Sequence, residues 1–167
     1  SDSIESFEGR AGDDTIDGGG GFDQITHYSA PAAIVVNLMT GVIQDGFGDT
    51  DTVSNIDYVV GSSFDDRLTG GNPVNDGFEA FDGRAGNDTI DGGTGSDQLD
   101  FGSAPSGVVV NLVTGTAQDG WGSVDTFGSV DRVAGSFFDD VLVGGNVANI
   151  NFELFDGRAG NDTIDGS

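Results

Sequence analysis
The chain contains no cysteine, which removes both a disulfide framework and any thiolate metal site. Basic residues are nearly as scarce: five stand against 29 acidic ones, a net charge of −24. That balance excludes nucleic acid and anionic membrane surfaces as electrostatic partners. No run approaches the roughly 18 apolar residues needed to cross a bilayer, and no basic stretch near the start leads into an apolar one. Membrane insertion is therefore not expected. His27 is the only histidine, and without a cysteine or an activated serine it can build neither a nucleophilic triad nor a zinc site. An ordinary place at the surface or a sheet edge is expected for it. Also missing is any apolar stripe of 3.6-residue period, which argues against helices.

What the chain does have is glycine and acid. Thirty of its 167 residues are glycine, far above the usual share of roughly 7%. Glycine weakens the interiors of both helices and strands, so some feature must repeatedly need its backbone freedom. The acids are hard oxygen donors, and in such abundance they point to cations, calcium first.

The sequence repeats on two scales. Phe7 to Ile16 recurs as Phe81 to Ile90 and again as Phe155 to Ile164, an offset of 74 residues each time. The period covers the intervening chain too: Val36-Asn37-Leu38 matches Val110-Asn111-Leu112, and Gln44-Asp45-Gly46 matches Gln118-Asp119-Gly120. The whole of 1–167 reads as a single repeat-built unit, with copies at 7–80 and 81–154 and a partial third at 155–167. It starts in mid-pattern and stops where another glycine-rich unit would begin, which predicts a longer parent protein. Within a copy the unit is a nonapeptide, clearest in the tandem pair 83–91 and 92–100. Glycines stand at its first and fourth places, an Asp at the sixth and a branched aliphatic at the eighth.

The last three places, such as Thr89-Ile90-Asp91, alternate polar, apolar, polar, as a short strand with one buried face does. Six turn-forming residues precede them, so two nonapeptides complete a coil with a strand on each side. Stacked coils give two parallel sheets, with Ile16, Ile25, Val53, Leu68, Ile90, Leu99, Leu142 and Ile164 pointing inward. Counting half-turns by their acids, with two for the acid-free run, predicts four coils of about 18 residues in each 74-residue copy. Nine such coils would make a rod roughly 40 Å long. The run Ser29 to Thr40 lacks loop glycines and acids and reads as a turn and a strand without metal, so that 27–42 and 101–116 are expected to be metal-free stretches. The long loops Gly70 to Glu79 and Gly144 to Glu153 are expected to protrude once per copy.

The units at 9–17, 18–26, 61–69, 83–91, 92–100, 135–143 and 157–165 resemble the haemolysin-type calcium-binding repeats of the RTX family. The resemblance implies an all-β fold, a right-handed parallel β-roll or solenoid, in a bacterial protein exported by type I secretion and working outside the cell. It also implies how calcium is held. Carbonyls from the glycine places of two successive loops on one side, with the two sixth-place carboxylates, close around each ion. The acids so implicated are Glu5, Asp14, Asp23, Asp51, Asp57, Asp66, Glu79, Asp88, Asp97, Asp125, Asp131, Asp140, Glu153 and Asp162. The carbonyl places are Gly18, Gly19, Gly21, Arg84, Gly86, Gly92, Gly93, Gly95, Arg158 and Gly160. Alternating the half-turns pairs Glu5 with Asp23, Asp51 with Asp66, Asp66 with Asp88, Asp57 with Glu79, and Glu79 with Asp97. One copy later it pairs Asp125 with Asp140, Asp140 with Asp162, and Asp131 with Glu153. Asp14 is left without a full partner. Asp13, Asp49, Asp65 and Asp139 are off-pattern and read as solvated charges.

Several calcium ions per chain are therefore expected, and a calcium-free chain is expected to be largely disordered, since stacked acids repel and such short strands bury little. Acids held by calcium stay ionised and make poor proton donors, so no enzyme activity is expected. The function implied is a calcium-folded structural or secretion-linked module, or a rigid stalk, whose partners besides calcium are neighbouring repeats of the parent. The alternative is a calcium-dependent polysaccharide-binding module of an extracellular carbohydrate-active enzyme or adhesin, binding sugar or a cell surface through Tyr28, Phe47 and Trp121. Phe47 and Trp121 are otherwise expected to form the apolar lid of a loop.

Overall fold
A computed structural model of the protein describes residues 3–71, 77–145 and 152–166. Residues 72–76 and 146–151, the middle of the two expected protruding loops, lie outside these. Eighteen short strands are present among the described residues, and no helix. The first copy supplies β1 (Ser6–Phe7), β2 (Thr15–Asp17), β3 (Gln24–Thr26), β4 (Val35–Asn37), β5 (Val42–Gln44), β6 (Thr50–Ser54), β7 (Tyr58–Val60) and β8 (Arg67–Thr69). The second repeats them as β9 (Ala80–Asp82), β10 (Thr89–Asp91), β11 (Gln98–Asp100), β12 (Val109–Asn111), β13 (Thr116–Gln118), β14 (Val124–Gly128), β15 (Arg132–Ala134) and β16 (Val141–Val143). The third begins with β17 (Leu154–Asp156) and β18 (Thr163–Asp165).

The strands form two sheets. A seven-stranded sheet runs β1-β3-β7-β9-β11-β15-β17, parallel throughout. An eleven-stranded sheet runs β2-β6-β5-β4-β8-β10-β14-β13-β12-β16-β18. The chain passes back and forth between them, as the nonapeptide rhythm requires. The middle residue of a strand faces its partner sheet: Ile25, Val59, Phe81, Leu99 and Val133 from the shorter, Val36, Leu68, Ile90, Val110 and Leu142 from the longer, all buried. Val53 is buried as expected, Ile16 is partly so, and Ile164 on the terminal strand β18 is about half exposed.

Two expectations change. The longer sheet is not wholly parallel, because β5 runs antiparallel to β4 and β6, and β13 to β12 and β14. The segment taken as two half-turns without metal is instead the first arm of a hairpin laid into the sheet. Tight turns at Gly41 and Gly115, with φ of 67° and 64°, make it possible. The hairpin buries Ile43 and Ala117 and is thus part of the core. Each copy consequently makes three coils rather than four. Successive partners on the shorter sheet, Gln24, Tyr58, Ala80 and Gln98, stand 34, 22 and 18 residues apart, so only one coil per copy has the expected 18.

His27 is the second departure, for it is 5% exposed. It fills the core position that Phe101 fills in the next copy, where the chain leaves the shorter sheet. Its Nδ1 lies 3.2 Å from the Val60 carbonyl, while Nε2 is buried without a partner. Burial pushes its pKa down, against the opposing pull of Asp66, Asp45 and Glu8. A base whose folded pKa is depressed is stable above its unfolded value, near ~6.5, and loses stability as pH falls through the folded one. His27→Phe is therefore expected to stabilise the calcium-loaded protein by about 1 kcal/mol, the cost of the unpartnered nitrogen. The gain in melting temperature should widen below pH ~6.5, and a variant no more stable than the parent at pH 5 would contradict this account.

Candidate metal centre
Sixth-place acids precede or begin their strands, so the strand order sorts them into two files. Along the shorter sheet stand Glu5, Asp23, Asp57, Glu79, Asp97, Asp131 and Glu153, each just before its strand. Along one edge of the longer sheet stand Asp14, Asp51, Asp66, Asp88, Asp125, Asp140 and Asp162.

Neighbours within a file are joined the same way at seven places: one carboxylate oxygen accepts the backbone N–H of the preceding acid, one strand away. On the shorter sheet Asp23 accepts from Glu5 at 2.8 Å, Asp57 from Asp23 at 2.8 Å and Asp97 from Glu79 at 3.0 Å. On the longer sheet Asp51 accepts from Asp14 at 2.9 Å, Asp88 from Asp66 at 2.8 Å, Asp125 from Asp88 at 2.9 Å and Asp162 from Asp140 at 3.0 Å. Strand register also sets Asp57 beside Glu79, Asp97 beside Asp131 and Asp131 beside Glu153.

Six of the eight sequence-derived pairs are thus adjacent. Asp51 and Asp66 are not, and neither are Asp125 and Asp140, because a hairpin stands between them. In their place Asp66 and Asp140 accept the N–H of Ile34 and Val108, at 2.9 and 2.8 Å. Asp14 is not left without a partner, since the hairpin returns the chain to bring β6 alongside β2. Three further pairs, Asp23 with Asp57, Asp88 with Asp125 and Asp97 with Asp131, arise from the same rearrangement.

The second oxygen of these acids turns inward. In six of the seven nonapeptides a methyl group at the first-place glycine would collide with the unit's own sixth-place carboxylate, as at Gly83 with Asp88 and at Gly157 with Asp162, and at Gly9 it would collide with that of Asp51, the acid one strand away. Gly18 and Gly92 sit against Asp23 and Asp97 in this way. The second and fourth places, Gly19, Gly21, Arg84, Gly86, Gly93, Gly95, Arg158 and Gly160, all have positive φ, so arginine at a second place takes the backbone form that glycine takes elsewhere. Asp14, Asp23 and Asp88 each keep an Oδ2 that is buried and has no hydrogen-bond partner. The ion pairs among the described residues, Arg10 with Glu8 and Arg158 with Asp100, involve neither file. No three acid or imidazole groups converge on one point among the described residues; the carboxylates come as successive pairs.

The RTX calcium-binding nonapeptide repeat matches this chain in four stretches, residues 4–25, 51–72, 74–104 and 152–167, more than half its length. The chain belongs to that family. Comparison with curated proteins finds none that matches it. As RTX repeats, these units bind calcium, several ions to a repeat domain, and form a β-roll. The donor set fits the ion: hard oxygens only, paired charges, and, at Asp14, Asp23 and Asp88, buried oxygens without a hydrogen-bond partner. RTX repeats occur in secreted bacterial proteins, and no helix among the described residues is long and apolar enough to cross a membrane.

Some residues were misread in the sequence. Asp13, Asp49, Asp65 and Asp139 are not simply solvated: each accepts a backbone N–H from the facing strand pair, from Thr50, Gly12, Asn87 and Asn161 respectively. Their fifth-place recurrence was the available signal. Asp45 and Asp119 are buried and were passed over because no nonapeptide contains them. Phe47 and Trp121 are 38% and 41% exposed rather than closed over as a lid.

Burial sets the electrostatics of the metal-free RTX acids. It pushes Asp88 and Asp97 up to about 8 and Asp125 up to about 7, with neighbouring carboxylates adding to the rise. Asp51, Asp66 and Asp131 are raised for the same first cause. An acid with a raised folded pKa stabilises the fold below its unfolded value, near ~3.9, and that stability is lost as pH rises through the folded value. In chelator, strand signal in circular dichroism is therefore expected to grow as pH falls from about 8 towards ~4, protons standing in for the cation. Equal signal at both ends of that range would contradict it.

Proposed function
We propose that the chain is a non-catalytic spacer of a larger extracellular protein, a single β-roll over residues 1–167 that calcium folds and stiffens after export. The observation that carries this reading is the pair of acid files, most of their members buried and tied strand to strand by their own carboxylates. Without a divalent cation at neutral pH, the like charges act against the short strands they brace. Calcium between successive acids reverses that sign. Its ligands are the fourteen file acids with carbonyls of the glycine places, among them Gly18, Gly92 and the positive-φ residues at second and fourth places.

Extracellular calcium modules bind at about 10⁻⁴ to 10⁻³ M, so the chain would remain unfolded in calcium-poor cytoplasm, as threading through an export channel requires, and would fold outside. Binding and folding are then one event. At pH 7.5 and millimolar calcium the expected result is a strand-type spectrum that chelator abolishes and renewed calcium restores, with several ions taken up per chain by calorimetric titration. An identical spectrum in chelator at that pH would refute the proposal.

One observation favours a second reading, glycan binding in calcium. Arg84 lies between two exposed rings, 4.6 Å from the centre of Tyr28 and 5.9 Å from that of Trp121. Trp121 also lines an open groove of about 600 Å³ with Ser106, Gln118 and Ser123. If sugar stacks there, Trp121→Ala should abolish binding on a glycan array in calcium while leaving calcium-dependent folding intact.

A further inference from the structure
The hairpin in each copy ought to break the acid file of the longer sheet, since it replaces a nonapeptide with residues outside the pattern. Strand direction prevents a clean break. Because β5 and β13 run against their neighbours, their C-terminal ends lie at the edge where the parallel strands begin. The residues at those ends are Asp45 and Asp119.

Register places Ile43 opposite Asp51 and Ala117 opposite Asp125. Two residues further on, Asp45 and Asp119 occupy the same face diagonal to those acids, near enough for their carboxylates to interact. Asp45 is indeed the largest like charge acting on Asp51, as Asp119 is on Asp125. Each is 1% exposed or less. Each also has its two oxygens in opposite situations. Oδ1 of Asp45 accepts the N–H groups of Phe47, Gly48 and Asp49 at 2.9, 3.2 and 3.1 Å, and Oδ1 of Asp119 accepts those of Trp121, Gly122 and Ser123 at 2.9, 3.0 and 2.9 Å. Oδ2 is buried in both and has no partner at all.

A buried carboxylate oxygen without a partner costs on the order of 1–3 kcal/mol. A cation needs only the oxygen, a second charge and water. We propose that Asp45 with Asp51, and Asp119 with Asp125, each hold an additional divalent cation, one per copy, in a hairpin-turn site outside the nonapeptides. The turn fixes one oxygen by three N–H groups and thereby aims the other. The inference rests on the calcium reading of the two files and extends it across the interruption.

Trp121 is the only tryptophan, and its backbone N–H reaches the carboxylate in question. Terbium on Asp119 would therefore emit when tryptophan is excited. Asp119→Asn keeps an Oδ1 acceptor for the three N–H groups and removes the charge at Oδ2. It is expected to lower the sensitised emission and to bind one calcium fewer by titration. Asp45→Asn should also bind one fewer, with emission unchanged, because Phe47 stands in that turn. Undiminished emission and an unchanged ion count in Asp119→Asn would make Asp119 a brace of its turn alone and overturn the inference, while leaving the calcium reading intact. If that variant does not fold, anomalous scattering from terbium-soaked crystals of the unsubstituted protein decides: a peak at coordination distance from Asp119 Oδ2 supports the site, and peaks along the files without one there exclude it. A protein that takes up no terbium or calcium would sink both readings.

Discussion
Everything in this protein follows from giving one kind of carboxylate two tasks. At seven places one oxygen of a sixth-place acid accepts the backbone N–H of the preceding acid in its file; in Asp14, Asp23 and Asp88 the other is buried without a hydrogen-bond partner. The first task builds the stack by hydrogen bonds to ionised acceptors, which are stronger than neutral ones. The second sets like charges side by side and, in the function proposed, is what makes the stack depend on a cation at neutral pH. A three-residue strand with one inward side chain contributes too little apolar area to outweigh that repulsion. In that proposal structure and ligand are inseparable, because the acids that join coils also set whether the coils hold without calcium.

Glycine follows from this arrangement rather than causing it. The carboxylate of Asp88 folds back on Gly83, and that of Asp162 on Gly157, which leaves no room for a β-carbon at the first place. Arginine is admitted at the second place because there the constraint is only angular. Arg10, Arg84 and Arg158 all take a positive φ; the Arg10 side chain is exposed, and those of Arg84 and Arg158 are half-buried over aromatic rings.

The nonapeptide portion was legible because its two requirements, a close glycine and an inward aliphatic, fall at fixed spacing. Alternation in Thr89-Ile90-Asp91 named the buried residue correctly, and six of the acid pairs followed from simple half-turn counting. The hairpin was not legible by that count, which assumes that every strand advances the coil. Asn37-Leu38-Met39-Thr40-Gly41, flanked by Val36 and Ile43, did carry a turn signal: an Asn whose side chain accepts the Thr40 N–H, then a glycine able to take positive φ. Taking that signal would have moved Asp51 away from Asp66 and given Asp14 its partner. His27 was misplaced for a different reason. Its polarity suggested the surface, whereas the match to Phe101 already pointed inside.

The hairpins leave the two sheets with different strand numbers, eleven against seven. At about 4.8 Å per step, ten steps span ~48 Å and six span ~29 Å. Hydrogen bonding fixes the step in both sheets, so neither can stretch to match the other across a gap of about 10 Å. The longer sheet therefore has some four steps more to accommodate than the shorter one it faces. A further copy in tandem would add three strands to the shorter sheet and five to the longer, so the difference in span would grow with every repeat.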